Sequence, residues 1–160
     1  MRCLYFAIVI VMKLSKEIEK IEPKHRSLIV AIDGYGGSGK STLAQKIGSL
    51  LNATVVHTDD FAKLNTPGWD YARLIEQILE PILSGESGRY QRYDWDTESL
   101  AEWHDVPADI PLIIEGVSSM RDELGEYWDF GIFVECPYDI RLKRGVERDG
   151  ESMRSQWTDI

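Results

Sequence analysis

The chain has 160 residues, enough for one domain with a sizeable core. Its 27 acidic residues against 18 basic ones give a net charge of −9, and no long basic run appears, which argues against a nucleic-acid partner. Two cysteines, Cys3 and Cys136, make no disulfide framework, and His25, His57 and His104 are scattered without metal-type spacing, so a reducing, cytoplasmic setting is expected.

Leu4 to Met12 is almost wholly apolar but too short to span a bilayer, and no small-residue cleavage site follows it, so no membrane association is expected. Two readings of this run stay open. Residues 1–11 are an extension ahead of a second start at Met12, or they add a strand or a sticky contact to the domain. Leu14, Ile18 and Ile21 then fall at helical spacing in a charged segment that Pro23 closes. Residues 1–27 therefore read as an N-terminal extension with a short amphipathic helix, laid on a domain spanning 28–160.

Leu28-Ile29-Val30-Ala31-Ile32 reads as a buried parallel strand over about 28–33. It runs into Gly34-Tyr35-Gly36-Gly37-Ser38-Gly39-Lys40-Ser41, which fits G-x-x-x-x-G-K-[ST], the P-loop or Walker A motif. Leu43, Ile47, Leu50 and Leu51 mark one face of a following helix. Polyphosphate needs backbone N–H groups at close range, and glycines let the chain curl that tightly. The helix start adds unpaired N–H groups and the positive end of its dipole. Gly34, Gly36, Gly37, Ser38, Gly39, Lys40, Ser41 and Thr42 are thus the candidate nucleotide-binding residues. Lys40 can reach the β/γ-phosphates, and the Ser41 hydroxyl can ligate Mg²⁺.

Thr54 to Thr58 reads as a second strand, ending at Asp59-Asp60-Phe61. After a loop with Pro67-Gly68, Tyr71, Leu74, Ile75, Ile78, Leu79 and Ile82 predict an amphipathic helix closed by Pro81 and Gly85. The polar, aromatic stretch 84–110 predicts an irregular substrate-side segment with one short helix near 97–104. Leu112-Ile113-Ile114 is a third strand ending at Glu115-Gly116, and Phe130 to Val134 a fourth ending at Glu135-Cys136-Pro137. A helix follows from about Tyr138 to Arg148. Strands alternating with helices imply a three-layer α/β fold with a mostly parallel sheet, in which ligands bind beyond the carboxyl ends of the strands. The glycine loop, Asp59-Asp60 and Glu115 all sit at such ends.

The motifs G-Y-G-G-S-G-K-S-T at 34–42, D-D-F at 59–61, R-Y-D-W at 92–95, I-I-E-G at 113–116 and R-L-K-R-G-V-E-R-D at 141–149 share the order and approximate spacing of one family. The set resembles the uridine kinase family, within the wider group that includes phosphoribulokinase and bacterial pantothenate kinase. The resemblance implies a nucleoside-kinase-like P-loop NTPase fold, ATP and Mg²⁺ as cofactors, and a small-molecule acceptor with a reacting hydroxyl. It implies that Asp59 accepts the acceptor's proton, with Asp60 the second candidate base beside it. A positioned carboxylate suits that task because a hydroxyl is a poor nucleophile. The resemblance places Glu115 near Mg²⁺ and its waters, and Tyr93 and Asp94 in the acceptor pocket. It places Arg144 and Arg148, with Arg141 one turn earlier, in a lid over the triphosphate, spanning about 138–156. Arginine forks pair well with phosphate oxygens. Trp69, Trp95 and Trp103 read as lid and core packing. Relatives are often oligomeric, so a homo-oligomer is a further expectation.

The chain also departs from the pattern. The family has an arginine directly after the position of Arg144, where this chain has Gly145. Its acidic-Arg-Gly-Arg lid run appears here as Glu151-Ser152-Met153-Arg154, and its Asp-His-Pro element as Asn65-Thr66-Pro67, with Trp69-Asp70 answering a later Phe-Asp. After Ile160 the family adds the rest of its lid, a helix and an edge strand, so a C-terminally truncated domain with an exposed sheet edge is expected. These gaps weaken uridine as the acceptor more than they weaken phosphotransfer. Two alternatives stay open: a nucleotide-binding regulatory module with degraded catalysis, and a kinase of a nucleoside monophosphate, a sugar acid or a pantothenate-like alcohol. A GTPase is disfavoured because no N-K-x-D signature is present.

Overall fold

The computed structural model describes residues 11–64 and 67–158. The apolar run ahead of residue 11, Cys3 and Asn65-Thr66 lie outside the described residues.

Among the described residues six strands divide into two sheets. A helical segment α1 covers 11–18. Then come β1 (Ile29–Gly34), α2 (Lys40–Leu51) and β2 (Thr54–His57). After a 3-10 turn over Thr58–Phe61 follow α3 (Tyr71–Leu74), a π turn over Ile75–Leu79 and α4 (Glu80–Leu83). Next are β3 (Gly88–Asp94), β4 (Ser99–Val106), β5 (Leu112–Glu115) and β6 (Phe130–Val134). The described chain ends with α5 (Tyr138–Asp149) and α6 (Arg154–Thr158).

The main sheet is parallel throughout, in the order β2-β5-β1-β6. Strands β1 and β5 are buried along their whole length, as continuous apolar runs require when both sheet faces are covered. Side chains alternate between the two faces. Ile29, Leu112 and Ile114 join Leu74, Ile78, Leu79 and Ile82 on one side. Val30, Ile32 and Ile113 join Ala44, Ile47 and the α1 residues Val11 and Ile18 on the other. The expected amphipathic helix after residue 11 is thus part of the second apolar layer. On α2 the buried stripe is Ala44, Ile47 and Gly48, with Leu43 and Leu51 flanking it; Leu50, expected on this face, is 49% exposed because it points off the stripe.

Two expectations about the middle of the chain are overturned. Residues 84–110 are not irregular, and no helix forms near 97–104. Strands β3 and β4 pair as an antiparallel hairpin, with a bulge between Gln91 and Tyr93. The segment Thr97–His104 contains Glu, Leu and Ala, good helix formers, but cross-strand pairing overrides propensity. Tyr90 stacks on His104 at 5.3 Å between centroids and on Phe61 at 4.9 Å, and Gln91 Nε2 donates to Ala101 O at 2.9 Å. Glu98, at φ 50°, turns the hairpin.

Pro81 does not close the preceding helix, which continues to Leu83. The π turn just ahead of it accommodates the missing N–H: the Glu80 N–H donates to Ile75 O, five residues back, and the helix resumes with Pro81 in its first turn. Gly85, at φ 80°, then ends it.

Candidate active site

The carboxyl ends of β1, β2 and β5 open into a cleft of about 630 Å³. Its lining includes Gly36, Gly37, Gly39, Lys40, Ser41 and Thr42, then Asp59 and Glu115, then Arg144 and Arg148. Trp69, Trp95 and Trp157 complete the wall. Seven of the predicted nucleotide-side, base and lid positions with working side chains therefore share one space. Gly34 and Ser38 lie behind the lining; the Ser38 hydroxyl turns back toward Gly34.

The loop folds as its glycines dictate. Gly37 and Gly39 take φ of 72° and 99°, in the left-handed region that side chains rarely adopt. Gly39 is the N-cap of α2, without a side-chain cap and without an acidic residue in the first turn. The helix start thus keeps its positive end free for an anion. Lys40 is buried, and its ammonium donates to Tyr35 O at 3.1 Å. Burial lowers its pKa, and the nearby charges of Glu115, Asp59 and Asp33 partly offset this. A polyanion beside Lys40 would favour the charged form further.

At the far end of the loop the Ser41 hydroxyl donates to Glu115 Oε1 at 3.0 Å. The other oxygen of this buried carboxylate meets His57 Nδ1 at 2.9 Å. Hydrogen bonding to Glu115 raises the His57 pKa against the effect of burial. A hydroxyl and a carboxylate converging on one spot form a hard-oxygen donor pair that fits Mg²⁺, an ion that keeps several waters and takes few protein ligands. Among the described residues no cluster of three or more His, Cys, Asp or Glu forms an all-protein metal cage.

Asp59 stands on the 3-10 turn after β2. Trp69 Nε1 donates to its Oδ1 at 3.3 Å, and Trp95 Nε1 to its backbone oxygen at 3.2 Å. Asp60 is turned away from the cleft lining. Its Oδ2 accepts from the Tyr90 hydroxyl at 2.9 Å, its backbone oxygen accepts from Arg73 Nη2 at 2.8 Å, and burial raises its pKa. Tyr93 is buried edge-on to Trp95, and Asp94 caps the hairpin turn through the Asp96 N–H; neither lines the cleft.

The three arginines of α5 part company. Arg141 is buried over the Tyr35 ring, 4.6 Å from its centroid, outside the cleft lining. Arg144 Nη1 donates to Gly37 O at 3.2 Å. Arg148 donates to both Asp149 oxygens, at 2.7 and 3.0 Å. Arg154 pairs with Glu151 outside the cleft.

Four neighbours of these groups escaped the sequence reading. Asp33 accepts from the Gly34, Ser118 and Met120 N–H groups, at 2.6, 3.0 and 2.9 Å, and so ties the glycine loop to the segment after β5. Asp33 and His57 both sit near strand carboxyl ends, the same signal that picked out Glu115. Trp69 and Trp95, read as packing, are donors to Asp59.

A lysine-bearing glycine loop between a central strand and its helix, facing carboxylates on neighbouring strand ends, places the chain among proteins of the P-loop kinase fold. A solved structure from Bacillus stearothermophilus, described as a possible uridine kinase, superposes with a TM-score of 0.70 at 22% identity, over 91% of this chain and 90% of that one. Residues 59–156, more than half of the chain, match the phosphoribulokinase / uridine kinase family, and the chain belongs to that family. Among curated relatives, uridine kinase of Lactobacillus johnsonii is 29% identical over 146 residues, 78% of this chain and 68% of that protein. Uridine kinase of Halobacterium salinarum is 27% identical over 142 residues; the match takes in 77% of this chain but only 63% of that protein's length. No helix among the described residues is long and apolar enough to cross a membrane.

Proposed function

We propose that the chain is the core of an ATP- and Mg²⁺-dependent small-molecule kinase that transfers the γ-phosphate to a hydroxyl of a uridine- or cytidine-like nucleoside. The observation that carries this reading is the sharing of one cleft by Lys40, Ser41 and Glu115 with Asp59, Arg144 and Arg148. Lys40 and the loop hold the phosphates, and Arg144 and Arg148 face the same space to neutralise transferring charge. Ser41 and Glu115 would hold Mg²⁺, which when bound neutralises charge on the phosphate oxygens. Asp59, its Oδ1 oriented by the Trp69 N–H, accepts the proton of the acceptor hydroxyl. The uridine-like acceptor rests on the curated relatives and on the aromatic wall, Trp69 and Trp95, beside Asp59.

An ATP-consumption assay with Mg²⁺ across nucleosides, nucleoside monophosphates and sugar alcohols tests this. Turnover that depends on a pyrimidine nucleoside supports it. Turnover with another acceptor reassigns the substrate, and nucleotide binding without any acceptor-dependent turnover leaves a regulatory module.

A further inference from the structure

The departure at Gly145 has a structural counterpart on α6. Gly145 is buried in the face of α5 that meets Trp157, and a Cβ there would fall inside the indole. The same ring lies over Gly36 of the phosphate loop, where a Cβ would come within 2.9 Å of it. Trp157 is 8% exposed, yet it forms part of the cleft wall. Its Nε1 donates to Asp149 Oδ2 at 3.0 Å, the oxygen that also accepts from Arg148 Nη2. The Arg148 guanidinium lies 5.4 Å from the ring centroid. One side chain thus touches the loop, the lid helix and the network that holds a lid arginine. A side chain at position 145 and an indole docked there exclude each other.

We propose that Trp157 is a positioning residue of the phosphate site: seated on Gly36 and Gly145, it walls the loop on the side that position 145 leaves bare and holds Arg148, through Asp149, at the cleft. The proposal rests on the reading of this cleft as a nucleotide site. A flat apolar ring against the loop keeps water from that side, and charge interactions strengthen where water is excluded. It also makes the docking of α6 a requirement for full nucleotide affinity.

The test is calorimetric titration of Mg·ATP into the wild-type chain, W157F, W157A, G145A and G145A/W157A, with nucleotide-induced tryptophan emission recorded alongside and thermal melts confirming the fold. W157A and G145A should each weaken Mg·ATP by about ten-fold. The double variant should be no worse than either single one, because both remove the same contact. W157F keeps an aromatic ring but cannot donate to Asp149, and should lose only about two- to three-fold. It should also reduce the emission change that nucleotide produces in the wild type, leaving the share of Trp69 and Trp95. Wild-type affinity in W157A, or additive losses in the double variant, would overturn the proposal; tighter binding by W157A would mean that the indole obstructs the site. Should W157A fail to fold, unchanged affinity in both G145A and W157F overturns it equally. A wild-type chain that binds no Mg·ATP overturns the nucleotide reading and this proposal together, whereas binding that ignores Trp157 sinks this proposal alone.

Discussion

The two walls of the cleft are made of different material. On the proposed phosphate wall a contiguous stretch of chain presents mainly its backbone, with left-handed glycines, a bare helix start and one lysine. On the opposite wall Asp59 is held by side chains that arrive from separate elements: Trp69 ahead of α3 and Trp95 just beyond β3. Behind them Asp60, Tyr90, Arg73 and His104 form a second layer of stacking and hydrogen bonds. The first wall depends on local conformation and on Trp157 of α6 seated against it, the second on the β3–β4 hairpin being in place. Perturbations of one wall should therefore leave the other largely intact.

The largest effect is expected from Asp59→Asn, which removes the proposed base and keeps its shape. Turnover should fall by about 10²–10⁴ while nucleotide affinity holds. Full activity in single-turnover assays would move the base elsewhere. Lys40→Ala strikes the first wall: a charge-assisted contact is lost, so nucleotide affinity should fall by about 10- to 100-fold. Undiminished affinity by calorimetry would break the phosphate reading of the loop. Tyr90→Phe acts behind the second wall. It leaves the Asp60 carboxylate without its hydroxyl donor and should cost about 1–3 kcal/mol in urea unfolding. Nucleotide affinity should stay the same, and a parallel loss would show that the walls are coupled.

The smallest effect is a pH slope. Burial holds the folded-state pKa of Asp60 above its ordinary value of 3.8, so the folded chain retains this proton longer than the unfolded one does. Stability from this group therefore falls as pH rises from the ordinary carboxylate range through the raised value. Asp60→Asn should flatten that part of the stability–pH curve while its amide oxygen still accepts from Tyr90. An unchanged slope would assign the dependence to another group.

Legibility in the sequence follows the same division. The glycine loop reads directly because its chemistry belongs to neighbouring residues and to backbone geometry. Strands β1, β2, β5 and β6 read as apolar runs, and their ends located Asp59 and Glu115. The hairpin did not read, because Glu, Leu and Ala in Thr97–His104 carry a helical preference that only pairing with β3 reverses. The Trp157 contact left no local signal. Gly145 looked like a loss in the linear chain, and only the arrival of α6 shows what fills the space. Asp33 and His57 were readable by the strand-end rule but carried no motif around them.

The π turn at Ile75–Leu79 fixes more than the passage of Pro81. Each residue of an α-helix advances the chain by about 100° around the axis, so one residue accommodated in a widened turn rotates everything before it relative to everything after it. Arg73 lies before the turn, and its guanidinium reaches Asp60 O and Gln91 O and covers the Phe61 ring. Ile78 within it and Ile82 after it are anchored in the core. Deleting a single residue between them would let the helix run regularly while swinging Arg73 away from the β2 turn and the hairpin together. The aim of that arginine is thus set by helical phase, in a segment whose own residues lie outside the cleft lining.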